Sequence, residues 1–285
     1  MEDRWNRVRA TQDSECMKDM CNRMHFHLTT YWRGTDRALF DFYTQLYCES
    51  DEELPFIVEQ AQKTYPVKLS SPLEFDVVLC VSHANRMLVN RLQNEAKARI
   101  YERCYPTYHV EWSGEDIKGT TSQPQSMIIW PGIELIGCTR GLGKNTYGIV
   151  QGVVYTVKRV DEANLTLEMN EEYKKKDAIQ DLEHSEDGDD FHEDDEKPSV
   201  HDVTLPLVDA PAVLRLTHAM CYFTMQGRTL RDRHILLLDT GHFHFSRRAL
   251  IVGMSRATHG SYVHVATPEY EEFVTGRRRK HITRI

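Results

Sequence analysis

The most tempting chemical signal in this 285-residue chain is the run Gly141 to Gly148, GLGKNTYG, because glycines beside a lysine can cradle phosphates. A phosphate-binding loop requires Gly, four residues, then Gly-Lys-Ser/Thr. Here Lys144 follows Gly143, but Cys138 stands where the first glycine belongs and Asn145 where the hydroxyl belongs. The run therefore reads as a glycine-rich turn. The acidic stretches supply no magnesium-holding partner either, because no hydrophobic strand leads into them. His242 and His244 alternate on a short segment and His192 lies among acids, yet no Cys/His quartet has zinc spacing. No metal site is expected. Thr217 and His218 end a predicted strand, where α/β sheets place their ligand contacts. The plain alternative is a buried, satisfied polar pair.

These residues need elements to position them. Residues 36–48 carry apolar positions at helical spacing, with Thr35 or Asp36 as N-cap. Residues 75–81 (FDVVLCV) read as a buried strand. Ser82 then caps a long helix to about Cys104, with Met87, Leu88, Leu92 and Ile100 expected on its buried face. From about 127 to 207 short β-rich runs alternate with glycines, which predicts a small barrel or curled sheet. The α/β style then resumes. AVLRLTH is expected as a strand, AMCYFTMQG as a short helix, HILLLD as a strand, SRRALIVGMSRAT as a helix and SYVHVAT as a final strand.

The segment Leu205 to Ala266 is the most informative. Thr217, His218, Gln226, Gly227 and Thr229 form one block, and Ser255, Arg256, Ala257 and Thr258 form a second. In this order and spacing the two blocks resemble the C-terminal motor domain of superfamily 1B DNA helicases, the Pif/RecD-like group. FDVVLCVSHANRMLVNRLQN resembles the strand-helix block that precedes that group's insertion, with His83 and Asn90 at its polar positions. GIELIGCTRGLGKNTYGIVQGVVYTV resembles the inserted SH3-like subdomain, with Gln151-Gly152 where the group usually carries Asn-Gly. HLTTYWRGTDRALFDFY resembles the opening block and places Arg33 at the group's first arginine. The resemblance covers about residues 25–268, with a poor match over 95–126.

The fold this implies is α/β: a RecA-like parallel sheet domain with an inserted SH3-like β module. Its parts would be 1–126 and 208–270 for the parallel domain, 127–207 for the insert with an acidic loop at 181–198, and 271–285 as a basic tail. The implied function is the second half of an ATP-dependent DNA helicase, in a group that usually moves 5′ to 3′. By resemblance Arg33 and Arg256 would stabilise charge on the transferred phosphoryl group, because a guanidinium is permanently charged and forks onto two oxygens. The alternative for each is a surface ion pair. Gly227, Thr229 and Arg256 would face the nucleotide. His83, Asn90, Thr217, His218 and Gln226 would face single-stranded DNA, with capping and packing as the alternative for His83 and Asn90, and a helix C-cap as an added role for Gly227. ATP and Mg²⁺ would be held mainly by a separate N-terminal RecA-like domain, so the chain alone is expected to be inactive as an ATPase. The competing reading is a non-catalytic module that binds DNA or a protein.

Composition fits an intracellular nucleic-acid partner once charge is located. The net charge is −8, but Asp181 to Glu196 holds ten Asp or Glu and no Lys or Arg, leaving the rest near +2. Such a run repels itself and reads as a solvated loop. Arg277, Arg278, Arg279, Lys280 and Arg284 form a basic tail, either a solvated end or a phosphate contact. Seven scattered cysteines without a CxxC pair predict reduced thiols, hence a cytoplasmic or nuclear setting. No apolar run is long enough to span a membrane.

Overall fold

A computed structural model of the chain describes residues 34–46, 53–114, 123–139, 147–170 and 202–276. Arg33, Lys144, His192, the acidic run at 181–198 and the basic residues from Arg277 onward lie outside the described residues. In chain order the helices are α1 (Arg37–Gln45), α2 (Leu54–Thr64), α3 (His83–Tyr101), α4 (Arg247–Met254) and α5 (Pro268–Thr275). The strands are β1 (Val77–Cys80), β2 (Tyr108–Val110), β3 (Met127–Ile129), β4 (Glu134–Gly137), β5 (Val154–Val160), β6 (Asn164–Met169), β7 (Asp202–Pro206), β8 (Leu214–Leu216), β9 (Ala219–Cys221), β10 (Ile235–Leu237) and β11 (Val263–Val265).

A parallel sheet in the order β11-β10-β1-β9 forms the first layer system. Every residue of its four strands is buried. Burial on both sides is what a sheet covered by helices on each face requires. Val77, Leu79, Ile235, Leu237, Val263 and Val265 pack on one side against α1, α2 and α4. Val78, Cys80 and Leu236 pack on the other side against Val89 of α3 and Val274 of α5. Gly253 lets α4 approach β10 closely, since a Cβ there would stand 2.0 Å from a Leu237 methyl. Asp36, one of the two expected caps, closes the start of α1 by accepting from Leu39 N at 3.1 Å.

The glycine-rich half forms a five-stranded antiparallel sheet in the order β7-β6-β5-β4-β8, with a bulge between Val157 and Arg159. Among the described residues no pairing joins β7 to β8, so the sheet is open. It also runs past residue 207, where the insert was expected to end, because β8 pairs with β4. The hairpin β2-β3 packs on the same core.

Two expectations need correction. AVLRLTHAMC is not one strand followed by a helix. The chain leaves the antiparallel sheet after β8, turns at Thr217-His218, and enters the parallel sheet as β9; residues 222–225 are a single 3-10 turn. The long helix begins at Ser82 as expected, but its faces are reversed. Arg86, Val89, Asn90, Gln93, Asn94 and Ala98 are buried, while Leu92 and Ile100 are exposed. The buried amides act as backbone surrogates for strand edges. Asn90 donates to Ala219 O at 2.9 Å and accepts from Ala219 N at 2.7 Å. Asn94 does the same for Ile128, at 2.9 and 2.7 Å. Edge strands carry unpaired donors and acceptors, and α3 satisfies four of them with two side chains.

Candidate functional site

Open α/β sheets hold ligands outside the carboxyl ends of their strands, where the connections of neighbouring strands diverge. Here β1 leads towards β9 on one side and β10 leads to β11 on the other, so the divergence lies between β1 and β10. The side chain at that point is Asp239, held at φ +61°. One carboxylate oxygen accepts from Val81 N and Ser82 N, each at 2.9 Å, and the other accepts from Asn85 Nδ2 at 2.7 Å. The backbone amides that open α3 are those that a phosphate would use in such a fold. Asp239 fills them with an internal anion.

Around this point the carboxyl face gathers His83, Cys221 to Gln226, and the loop from Asp239 to Ser246. A pocket there has Cys80 and Cys221 in its floor and Phe223, Gln226, His244 and Arg248 in its lining. Cys221 Sγ lies 3.6 Å from His83 Nδ1. Burial raises the Cys221 thiol, and burial together with the nearby Arg86 charge lowers His83. Both shifts favour neutral thiol and neutral imidazole. The pair is therefore not the thiolate-imidazolium couple of a nucleophilic enzyme. Burial also pushes the Cys80 thiol well up.

The two sequence blocks meet where the chain runs from α4 back towards the amino end of β11. Leu230 N donates to Arg256 O at 2.8 Å, and Leu230 bridges Ala257. The Arg256 guanidinium, buried, donates to Met225 O at 3.1 Å and Arg228 O at 2.8 Å. It also bonds Val252 O at 3.0 Å and Ser255 Oγ at 2.8 Å. Arg256 was expected within the helix SRRALIVGMSRAT, as an arginine facing the transferred phosphoryl group. It lies instead just past the end of α4, and its charge is spent on the carbonyls that flank Gly227. Gly227 adopts φ +81° with open space where a Cβ would stand, so conformation rather than close approach selects glycine. Gln226 is exposed beside the pocket. Thr229 instead lines a second cleft of about 210 Å³ with Thr217, Arg228, Arg231 and Arg233. That volume is below the roughly 300–1,000 Å³ of small-molecule sites.

The remaining expected DNA contacts fall elsewhere. Thr217 and His218 precede β9, so they stand at the amino end of that parallel strand. Thr217 Oγ1 donates to Glu134 O at 2.9 Å. His218 is buried, its ring parallel to Trp130 at 6.4 Å, and its Nε2 has no hydrogen-bond partner. Burial, reinforced by Lys97, pushes its pKa down to about 3. Asn90 is wholly buried and committed to Ala219. The buried-polar and packing alternatives describe these three. Of the expected DNA set only His83 and Gln226 reach the carboxyl face. Sequence reading missed Asp239, Phe223 and Phe243. The signal for Asp239 was an acid directly after the apolar run HILLL; nothing marked the two rings, since Phe223 falls in AMCYFTMQG, read as a helix, and Phe243 lies six residues past β10.

No protein-family model and no curated protein matches the chain. Among solved structures, the chain is similar to Pif1 helicases. Against the Bacteroides Pif1 bound to single-stranded DNA, identity is 15% and the TM-score 0.47, covering 86% of this chain and 53% of that one. Against Bacteroides Pif1 helicase in complex with ADP-AlF3 and single-stranded DNA the values are 15% and 0.45, covering 85% and 52%. Against the Pif1 helicase from Candida albicans they are 14% and 0.39, covering 81% and 54%. The chain spans about half the length of these solved proteins. Among the described residues, no helix is long and apolar enough to cross a membrane, and no group of three or more His, Cys, Asp or Glu could hold a metal ion.

Proposed function

We propose that the chain serves as the second motor domain of an ATP-dependent DNA helicase of the superfamily 1B kind. In this role it contacts single-stranded DNA and docks against an N-terminal RecA-like domain. The observation that carries the reading is the interlock of the two blocks. Gln226-Gly227-Arg228-Thr229 and Ser255-Arg256-Ala257-Thr258 are separated in sequence, yet Arg256 ties them together. The described residues do not themselves fit the phosphates of ATP, because Asp239 fills the amides at the strand divergence. The sequence also lacks Gly-x4-Gly-Lys-Ser/Thr. ATP and Mg²⁺ therefore belong to the partner domain in this proposal. Arg33 and Arg256 are its arginines, and Arg256 could face a nucleotide only by releasing the carbonyls of Met225 and Arg228. The antiparallel sheet would be the SH3-like insert.

One observation favours the second reading, a non-catalytic module that binds DNA or a protein: the Arg256 charge is already satisfied inside the chain. Both readings are tested by incubating the purified chain with ATP, Mg²⁺ and a single-stranded oligonucleotide. Binding of the oligonucleotide without DNA-stimulated phosphate release is expected. Phosphate release would overturn the division of labour, and absence of binding would overturn the motor reading in favour of a protein-binding module.

A further inference from the structure

Phe223 and Phe243 are 78% and 63% exposed, and both leave the carboxyl ends of parallel strands. A single exposed ring needs no explanation. These two belong to one surface: Phe223 and His244 line the same pocket, with Arg248 at its rim, and Phe243 lies 3.7 Å from His244 between ring centroids. His242 also lies against Phe243, at 4.6 Å and 25°, and 5.6 Å from His244.

The loop that presents Phe243 is anchored throughout. Asp239 bonds Val81, Ser82 and Asn85, and Thr240 N and Oγ1 bond Glu271 at 3.0 and 3.3 Å. Tyr222 OH donates to Leu238 O at 2.9 Å, and Phe245 N donates to His242 O at 2.8 Å. Phe245 turns inward and is buried, while Phe243, two residues earlier, is held outward. An exposed ring on a fixed loop loses little freedom when it meets a flat partner.

We propose that Phe223 and Phe243, flanked by His242, His244 and Arg248, form a stacking platform for unpaired nucleobases. Nucleobases stack on aromatic rings regardless of sequence, and arginine serves both phosphates and π faces. Rings beside a cation match that chemistry; an aliphatic patch such as Leu92 and Ile100 on α3 does not. The proposal rests on the nucleic-acid reading above and adds its base-contacting residues.

The test compares an oligo-dT with an abasic-spacer oligonucleotide of equal length and charge, by fluorescence anisotropy at low salt. The wild-type chain should bind the dT strand more tightly. Phe223→Ala/Phe243→Ala should weaken dT binding by roughly 10- to 100-fold and leave spacer binding unchanged. Phe243→Trp in the Phe223→Ala background should recover part of the loss. Both rings are exposed, so the thermal midpoint should stay constant. Equal dT affinity in the double variant, or equal losses on both probes, would overturn the platform while leaving nucleic-acid binding intact. Failure of the wild-type chain to bind either probe would overturn the underlying reading as well.

Discussion

His218 stays neutral in the fold because burial forbids its charge, and nothing bonds its Nε2. Its folded pKa near 3 lies below the ordinary 6.5. Stability from this group is therefore complete above about pH 6.5 and falls as pH drops towards 3, by about 1.4 kcal/mol per unit. Denaturant midpoints at pH 7.5 and 5 should show the wild-type chain losing about 2 kcal/mol more than His218→Phe, which keeps a ring on Trp130. Equal losses in the two proteins would contradict the assignment. His264, also buried and lowered, contributes to both proteins alike. The error of reading Thr217-His218 as a ligand-facing strand end has a physical cause. AVLRLTHAMCYF contains no glycine, proline or asparagine to mark a break. Its division into β8 and β9 is imposed by two different sheets. Gln226-Gly227 was legible because a positive φ needs glycine, whereas the destination of the Arg256 guanidinium depended on carbonyls 28 and 31 residues away.

At the scale of elements, α3 inverts the usual rule that apolar residues mark the buried face. That rule follows from hydrophobic burial, and it misplaced Leu92 and Ile100. It failed because the helix meets strand edges, whose free donors and acceptors are better matched by amides than by methyls. Asn90→Ala and Asn94→Ala should each cost about 2 kcal/mol or more, since each leaves a buried donor and acceptor unmet. Leu92→Ser and Ile100→Ser should stay within about 0.5 kcal/mol. Urea unfolding of the four variants decides the matter, and the opposite ranking would refute the reversed face. Three of the four strands of the parallel sheet, β1, β10 and β11, were legible from apolar runs such as VVLC, because burial on both faces leaves a continuous apolar pattern, whereas β9 was read as a helix.

For the whole molecule, a mixed α/β fold with a parallel sheet was readable before any coordinates, through the alternation of apolar strands and helices around a glycine-rich β stretch; the expected barrel was not found, the five-stranded sheet being open among the described residues. The join between the two sheets was not, since Asn94–Ile128 and the Arg228 bond to Gly152 O link residues far apart in sequence. A net charge of −8 alone would argue against nucleic acid, but binding depends on local charge, and Arg248, Arg231 and Arg228 lie near the carboxyl face or the second cleft. The most direct measurement is equilibrium binding of the purified chain to a labelled single-stranded oligonucleotide between 50 and 200 mM salt. The account predicts that log K falls linearly with log salt, as expected when cationic side chains displace counterions from phosphates. Binding that ignores salt, or no binding at the low-salt end, would contradict it.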